Sequence, residues 1–114
     1  MAEQRSLKRR HLIYYLKIVD RDTDNLVGFL VDITTRGIMV MSEEPIEIGK
    51  VFHMKMLLQT DLSNKQFLHF DAKSKWTDKS INTDFYDTGF ELIDIDSDDF
   101  KEFDRVIEAL GFND

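Results

Sequence analysis

The sequence predicts an all-β domain closed by a terminal helix: about six antiparallel strands forming a barrel, with one amphipathic helix capping it. Three observations predict it. Apolar and polar residues alternate with period two through much of the chain. Turn-forming residues interrupt those runs at short intervals. From Ser97 onward the apolar period becomes that of a helix.

The first two strands are Leu12 to Val19 and Leu26 to Thr34, runs of branched and aromatic residues separated by the polar segment Asp20-Arg21-Asp22-Thr23-Asp24-Asn25. Such a pair reads as a hairpin. A tight Thr34-Thr35-Arg36-Gly37 turn leads into a third strand, Gly37 to Met41, and the Glu47-Ile48-Gly49-Lys50 turn opens a fourth. There Phe52, Met54, Met56 and Leu58 take one face, and His53, Lys55 and Leu57 the other. In the fifth, Leu68, Phe70, Ala72, Ser74 and Trp76 form the buried parity, which makes Trp76 a core residue. Polar residues 77–84 read as a loop. Tyr86 to Ile95 is the sixth strand, with Gly89 marking a bulge or a close backbone approach. In the helix, Phe100, Phe103, Val106, Ile107 and Leu110 share a face, Ser97 is the expected N-cap, Asp98 and Asp99 suit the first turn, and Gly111 stops it.

At 114 residues the chain suits one domain with a real core. It has no cysteine, which removes disulfides, thiol nucleophiles and Cys-based zinc sites. The N-terminal residues contain no apolar stretch of signal-peptide length, and no run is long enough to span a bilayer, so a cytoplasmic protein without membrane insertion is expected. The net charge of −7 opposes a general grip on DNA or RNA, which depends on many phosphate contacts by Lys and Arg. The charge is uneven, however. Residues 1–10 carry Arg5, Lys8, Arg9 and Arg10 against Glu3, whereas residues 91–114 hold nine acids against Lys101 and Arg105.

Enzyme chemistry finds no constellation. His11, His53 and His69 are scattered, without the spacing of a metal site, and read as solvated strand residues. Asp94, Asp96, Asp98 and Asp99 gather at the helix start, where they complement the macrodipole, and no calcium loop or Gly-rich phosphate loop is present. Two features remain: the basic N-terminal segment, and the turn Asp32-Ile33-Thr34-Thr35-Arg36-Gly37. Taken singly, one is a solvated tail and the other a hairpin turn with Asx-type chemistry.

Together they resemble a known family. Arg5-Ser6-Leu7-Lys8-Arg9 fits an RxxxR pattern, and Asp32 to Gly37 fits DxSxxG with Thr34 in the serine place. In that order, ahead of a barrel-like strand pattern that continues through Gly49, Trp76, Gly89-Phe90-Glu91-Leu92 and the closing helix, they resemble the PilZ domain family. That resemblance implies a six-stranded antiparallel barrel spanning residues 11–114, preceded by a flexible basic switch segment, residues 1–10. It also implies a non-enzymatic receptor for the bacterial second messenger cyclic di-GMP, with no other cofactor, whose N-terminal segment changes conformation on binding and thereby regulates an effector protein.

The ligand residues carried over are Arg5, Arg9, Arg10, Asp32, Thr34 and Gly37. Guanidinium groups suit both guanine O6/N7 and phosphate, an ionised Asp32 accepts from guanine N1 and N2, Thr34 supplies a hydroxyl, and Gly37 permits backbone approach or a positive φ. The sequence departs from the pattern at Thr34, at Arg36 where a second glycine is common, and in register. Arg10 fits the second arginine's place about as well as Arg9, and Ser6 then occupies the first. The alternative reading is a divergent interaction module that does not bind the nucleotide, using its barrel surface and acidic helix.

Overall fold

The computed structural model describes residues 16–58, 65–81 and 84–110. They form strands β1 (Lys17–Asp20), β2 (Leu26–Thr34), β3 (Gly37–Ser42), β4 (Val51–Leu57), β5 (Phe67–Lys79) and β6 (Tyr86–Asp94), followed by helix α1 (Ser97–Leu110). The strands close into an antiparallel barrel in the order β1-β2-β3-β6-β5-β4. The expected fold class is therefore the observed one. Closure leaves the short β1 paired on both sides, Ile18 facing Gly28 of β2 and Met56 of β4.

The period-two pattern builds the core. Ile18, Leu30, Val40, Met54, Met56, Leu68, Phe70 and Ala72 point inward and are almost fully buried. The β1–β2 hairpin is turned by Asp20, whose carboxylate accepts the amides of Asp22 at 2.8 Å and Thr23 at 3.0 Å. Those bonds stabilise the charged form and lower the Asp20 pKa. Gly49 adopts φ 81° in the turn before β4, a left-handed conformation that glycine takes without steric cost.

Helix α1 covers the barrel end at which β6 finishes. Phe103, Val106 and Ile107 are at most 2% exposed, and the Phe103 ring meets Phe70 edge-on at 5.9 Å. Phe100 departs from the expected face. It is 36% exposed and stacks on Phe103 at the helix margin instead of entering the core. The capping residue also differs, since the Phe100 amide donates to the Asp96 carbonyl at 2.8 Å, which makes Asp96 the N-cap and Ser97 the first helical residue. The Leu110 side chain, Gly111 and the part of the first strand before Leu16 lie outside the described residues. Among the described residues no helix is long and apolar enough to cross a membrane.

Residues 77–79 are strand, not loop. β5 runs on to Lys79 because its polar residues find cross-strand partners: Thr77 Oγ1 lies 2.9 Å from Thr88 Oγ1, and the Lys79 ammonium sits over the Tyr86 ring at 5.4 Å. His53 is not merely solvated. Its Nδ1 lies 2.8 Å from Asp71 Oδ1 and 3.0 Å from an Arg21 guanidinium nitrogen, which itself donates to Asp71 at 2.8 Å. His69 is half-buried and stacked on Phe67.

Candidate functional site

Strand register places the turn residues on the outside of the barrel in two parallel rows. Asp32 of β2 faces Met39 of β3, Met39 faces Gly89 of β6, and Gly89 faces Trp76 of β5. One step along, Thr34, Gly37, Glu91 and Lys73 form the second row. Between the two runs Ile33-Ile38-Phe90-Ser74, whose members are all buried. Inward and outward rows alternate, so Asp32, Thr34, Gly37 and Trp76 share the outer face.

Two bulges make this possible. Leu30 and Ile33 are both buried although three residues apart, because the ladder slips between Leu30 and Asp32. Without that slip, Asp32 would follow Leu30 into the core. The second slip lies between Ser74 and Trp76. Trp76 has the buried parity of Leu68, Phe70, Ala72 and Ser74, and the extra residue Lys75 turns it outward, where it is 47% exposed. The core assignment of Trp76 is thereby corrected. Gly89 is the complementary half of the same feature, since a Cβ there would collide with the Trp76 indole. The expected close approach at Gly89 is thus found, with the bulge on the neighbouring strand.

The result is a groove of about 440 Å³ whose lining includes Asp32, Thr34, Arg36, Gly37, Lys75 and Trp76, with Met39 and Glu91. Asp32 is half-buried, and its Oδ1 accepts the Ile33 amide at 2.9 Å. Thr34 Oγ1 accepts the Arg36 amide at 3.1 Å, and the Arg36 carbonyl accepts the Leu92 amide at 2.7 Å, which ties the turn to β6. Gly37 serves through space rather than through φ. A Cβ there would strike the Phe90 carbonyl, and the positive-φ residues among those described are Asp24 and Gly49. Lys75 Nζ lies 3.4 Å from Glu91 Oε1 across the groove.

Chemically the groove offers an acceptor-rich carboxylate, a hydroxyl whose proton is free to be donated, two cationic side chains and a flat indole. No group of three or more metal-ligating side chains gathers among the described residues. Of the residues expected at the site, Asp32, Thr34 and Gly37 are brought together. Arg5, Arg9 and Arg10 lie outside the described residues. Sequence reading missed Trp76 and Lys75 as groove residues. The available signal was the single tryptophan in a strand parity that also carried a glycine on the facing strand.

Comparison with known proteins agrees with this architecture. The family model for the PilZ domain matches residues 3–109. Among solved structures, the chain resembles the Bacillus subtilis inhibitor of motility MotI/DgrA with a TM-score of 0.66 at 12% identity, covering 82% of this chain and 46% of that one. It also resembles MrkH of K. pneumonia in its apo state, with a TM-score of 0.64 at 11% identity over 83% of this chain and 46% of that one. The chain thus spans just under half the length of each. No curated protein sequence matches significantly.

Proposed function

The chain belongs to the PilZ domain family, and on that premise we propose that it is a non-enzymatic receptor for cyclic di-GMP, acting as an adaptor toward an effector protein. The observation that carries this reading is the outer-face groove that gathers Asp32, Thr34 and Gly37 beside the exposed Trp76. Ionised Asp32 accepts from guanine N1 and N2, Thr34 donates to a phosphate or ring oxygen, and the indole gives a guanine face a stacking platform. Arg36 and Lys75 contribute positive charge toward the phosphates, adding a phosphate partner to the residues of the motif.

Arg5, Arg9 and Arg10 complete the reading. The Leu16 carbonyl accepts the Leu30 amide at 2.8 Å in an antiparallel pair, so the chain enters the barrel from the Asp32 end of β2. Arg10 is six residues before Leu16, a separation that extended backbone spans with up to roughly 20 Å. That length supports arginine contacts at the groove without crossing the molecule. In this proposal the arginines meet the ligand's phosphates, and the change of the segment on binding is the signal passed to the partner.

Calorimetric titration with cyclic di-GMP, with cyclic di-AMP and GTP as controls, tests the proposal. Saturable binding selective for cyclic di-GMP is expected. Absence of binding at millimolar ligand refutes the receptor reading and leaves the interaction-module reading, in which the barrel surface acts without a nucleotide.

A further inference from the structure

A second concavity lies at the barrel end opposite α1, where β2 begins and β3 ends. It is about 480 Å³, is walled by Leu26, Phe29, Met41, Ile46, Phe52 and Phe85, and shares no lining residue with the Asp32 groove. Its walls are preformed. Ser42 Oγ donates to the Glu44 carbonyl at 2.7 Å, the Lys50 amide donates to Ser74 Oγ at 3.2 Å, and Ser74 Oγ donates to the Glu47 carbonyl, so the 43–50 connection is fastened to both β3 and β5. Leu26, at the mouth, is 54% exposed.

The rim decides the occupant. Exposed Glu43, Glu44 and Glu47 line the cleft. The cation among its described lining residues, Lys50, is turned over the Phe52 ring at 5.3 Å. An acidic rim around an apolar floor repels anionic amphiphiles and nucleotides, and attracts an apolar anchor flanked by positive charge. We propose that this cleft is the docking site for a partner's extended basic segment, with one or two large apolar side chains seated between Phe29, Met41 and Phe52. The volume is that of a site for a small ligand or for anchor side chains, and a few aromatic walls around a desolvated centre are where binding energy concentrates. This surface differs from the acidic helix.

The test uses the full chain, isotopically labelled for amide NMR, and three short probe peptides: a Leu-Phe pair flanked by Lys and Arg, the same flanks around Ser-Ser, and Leu-Phe flanked by Asp and Glu. The first probe is expected to move the amides of Val27, Phe29, Met41, Phe52 and Phe85, and to bind about tenfold more tightly than either comparator. The doubly substituted Glu43→Lys/Glu47→Lys chain, altered only at exposed positions, is expected to lose about tenfold in affinity and most of the salt dependence while keeping its spectrum away from the cleft. Equal binding of the acidic probe, shifts confined to α1, or an unchanged affinity in the double variant overturns the proposal. So does the case in which oleate moves the cleft amides and the basic probe does not, which assigns the cleft to a lipid. Because neither the probes nor the variant touch the Asp32 groove, a failed cyclic di-GMP titration and a failed peptide titration are separate results.

Discussion

The proposed receptor gives Asp32 and Trp76 different tasks, separable by substitution. One oxygen of Asp32 is occupied by its neighbour's amide, and the proposal makes the carboxylate the principal acceptor for guanine donors. Asp32→Ala is expected to weaken cyclic di-GMP by about 1.5 to 3 kcal/mol, roughly ten- to a hundredfold, as for other hydrogen bonds to charged groups. Trp76→Ala is expected to cost about 1 to 3 kcal/mol in binding through lost stacking, with little loss of stability because the side chain lies outside the core. A large drop in melting temperature for Trp76→Ala would return the residue to the core. The arginine register is read out the same way. Arg5→Ala and Arg9→Ala are the severe changes if those two form the pair. If Arg10 takes the second place, Arg10→Ala is severe, Arg5→Ala is nearly silent, and Ser6→Arg tightens binding. Parental affinity in every one of these variants would remove the segment from the site.

At the scale of elements, strands were legible where one face is buried and the ladder is regular. β2 and β3 have the expected starts, and α1 has the expected extent, because alternation and the change of period are direct consequences of burial on one side. The bulges were not legible. A bulge adds one residue without changing composition, so Trp76 kept its buried parity in the sequence and lost it in the sheet. Phe100 shared the helical face of Phe103 but lies a turn nearer the N-terminus, beyond the barrel's cover. Of the site, the turn Asp32 to Gly37 was legible from local motif spacing, whereas Trp76 and Lys75 reach it through pairing between strands distant in sequence. Phe103, fully buried against Phe70, anchors the helix. Phe103→Ala is expected to destabilise by about 3 to 5 kcal/mol in denaturant unfolding, and an unchanged midpoint would remove α1 from the core. The Arg21-His53-Asp71 cluster ties the β1–β2 turn to β4 and β5. Burial raises the Asp71 pKa, but hydrogen bonds from His53 and Arg21 and their charges more than offset it, leaving the carboxyl below its ordinary 3.8. A depressed carboxyl contributes stability above its unfolded pKa and loses it as pH falls through the lower folded value. Acid unfolding below about pH 4 is therefore expected to be shallower in Asp71→Asn, and an unchanged pH profile would show that the cluster is energetically idle.

For the whole molecule, the question is how a chain of net charge −7 would hold the dianion that the proposed function gives it. The described lining of the proposed site sets Arg36 and Lys75 against Asp32 and Glu91, so its excess positive charge comes from the N-terminal arginines, whereas the opposite cleft carries Glu43, Glu44 and Glu47 and the helix five further acids. At about 0.1 M salt the screening length is roughly 10 Å, so distant acids fade before cations in contact with the phosphates do. Net attraction at the site therefore outweighs the repulsion of the whole, and affinity should fall as salt rises. The same division of labour predicts the outcome of truncation. The barrel closes through β1, which pairs with both β2 and β4 from Lys17 onward, downstream of residues 1–10. Deleting residues 1–10 is expected to leave the melting temperature nearly unchanged while abolishing cyclic di-GMP binding, since the cations among the described groove lining are then Arg36 and Lys75, the latter shared with Glu91. Calorimetry and thermal unfolding on one truncated sample decide it. Retained affinity with unchanged salt dependence would place the phosphates wholly on the barrel. Loss of folding would instead make the segment part of the structure, and its arginines could no longer serve as a ligand-operated switch.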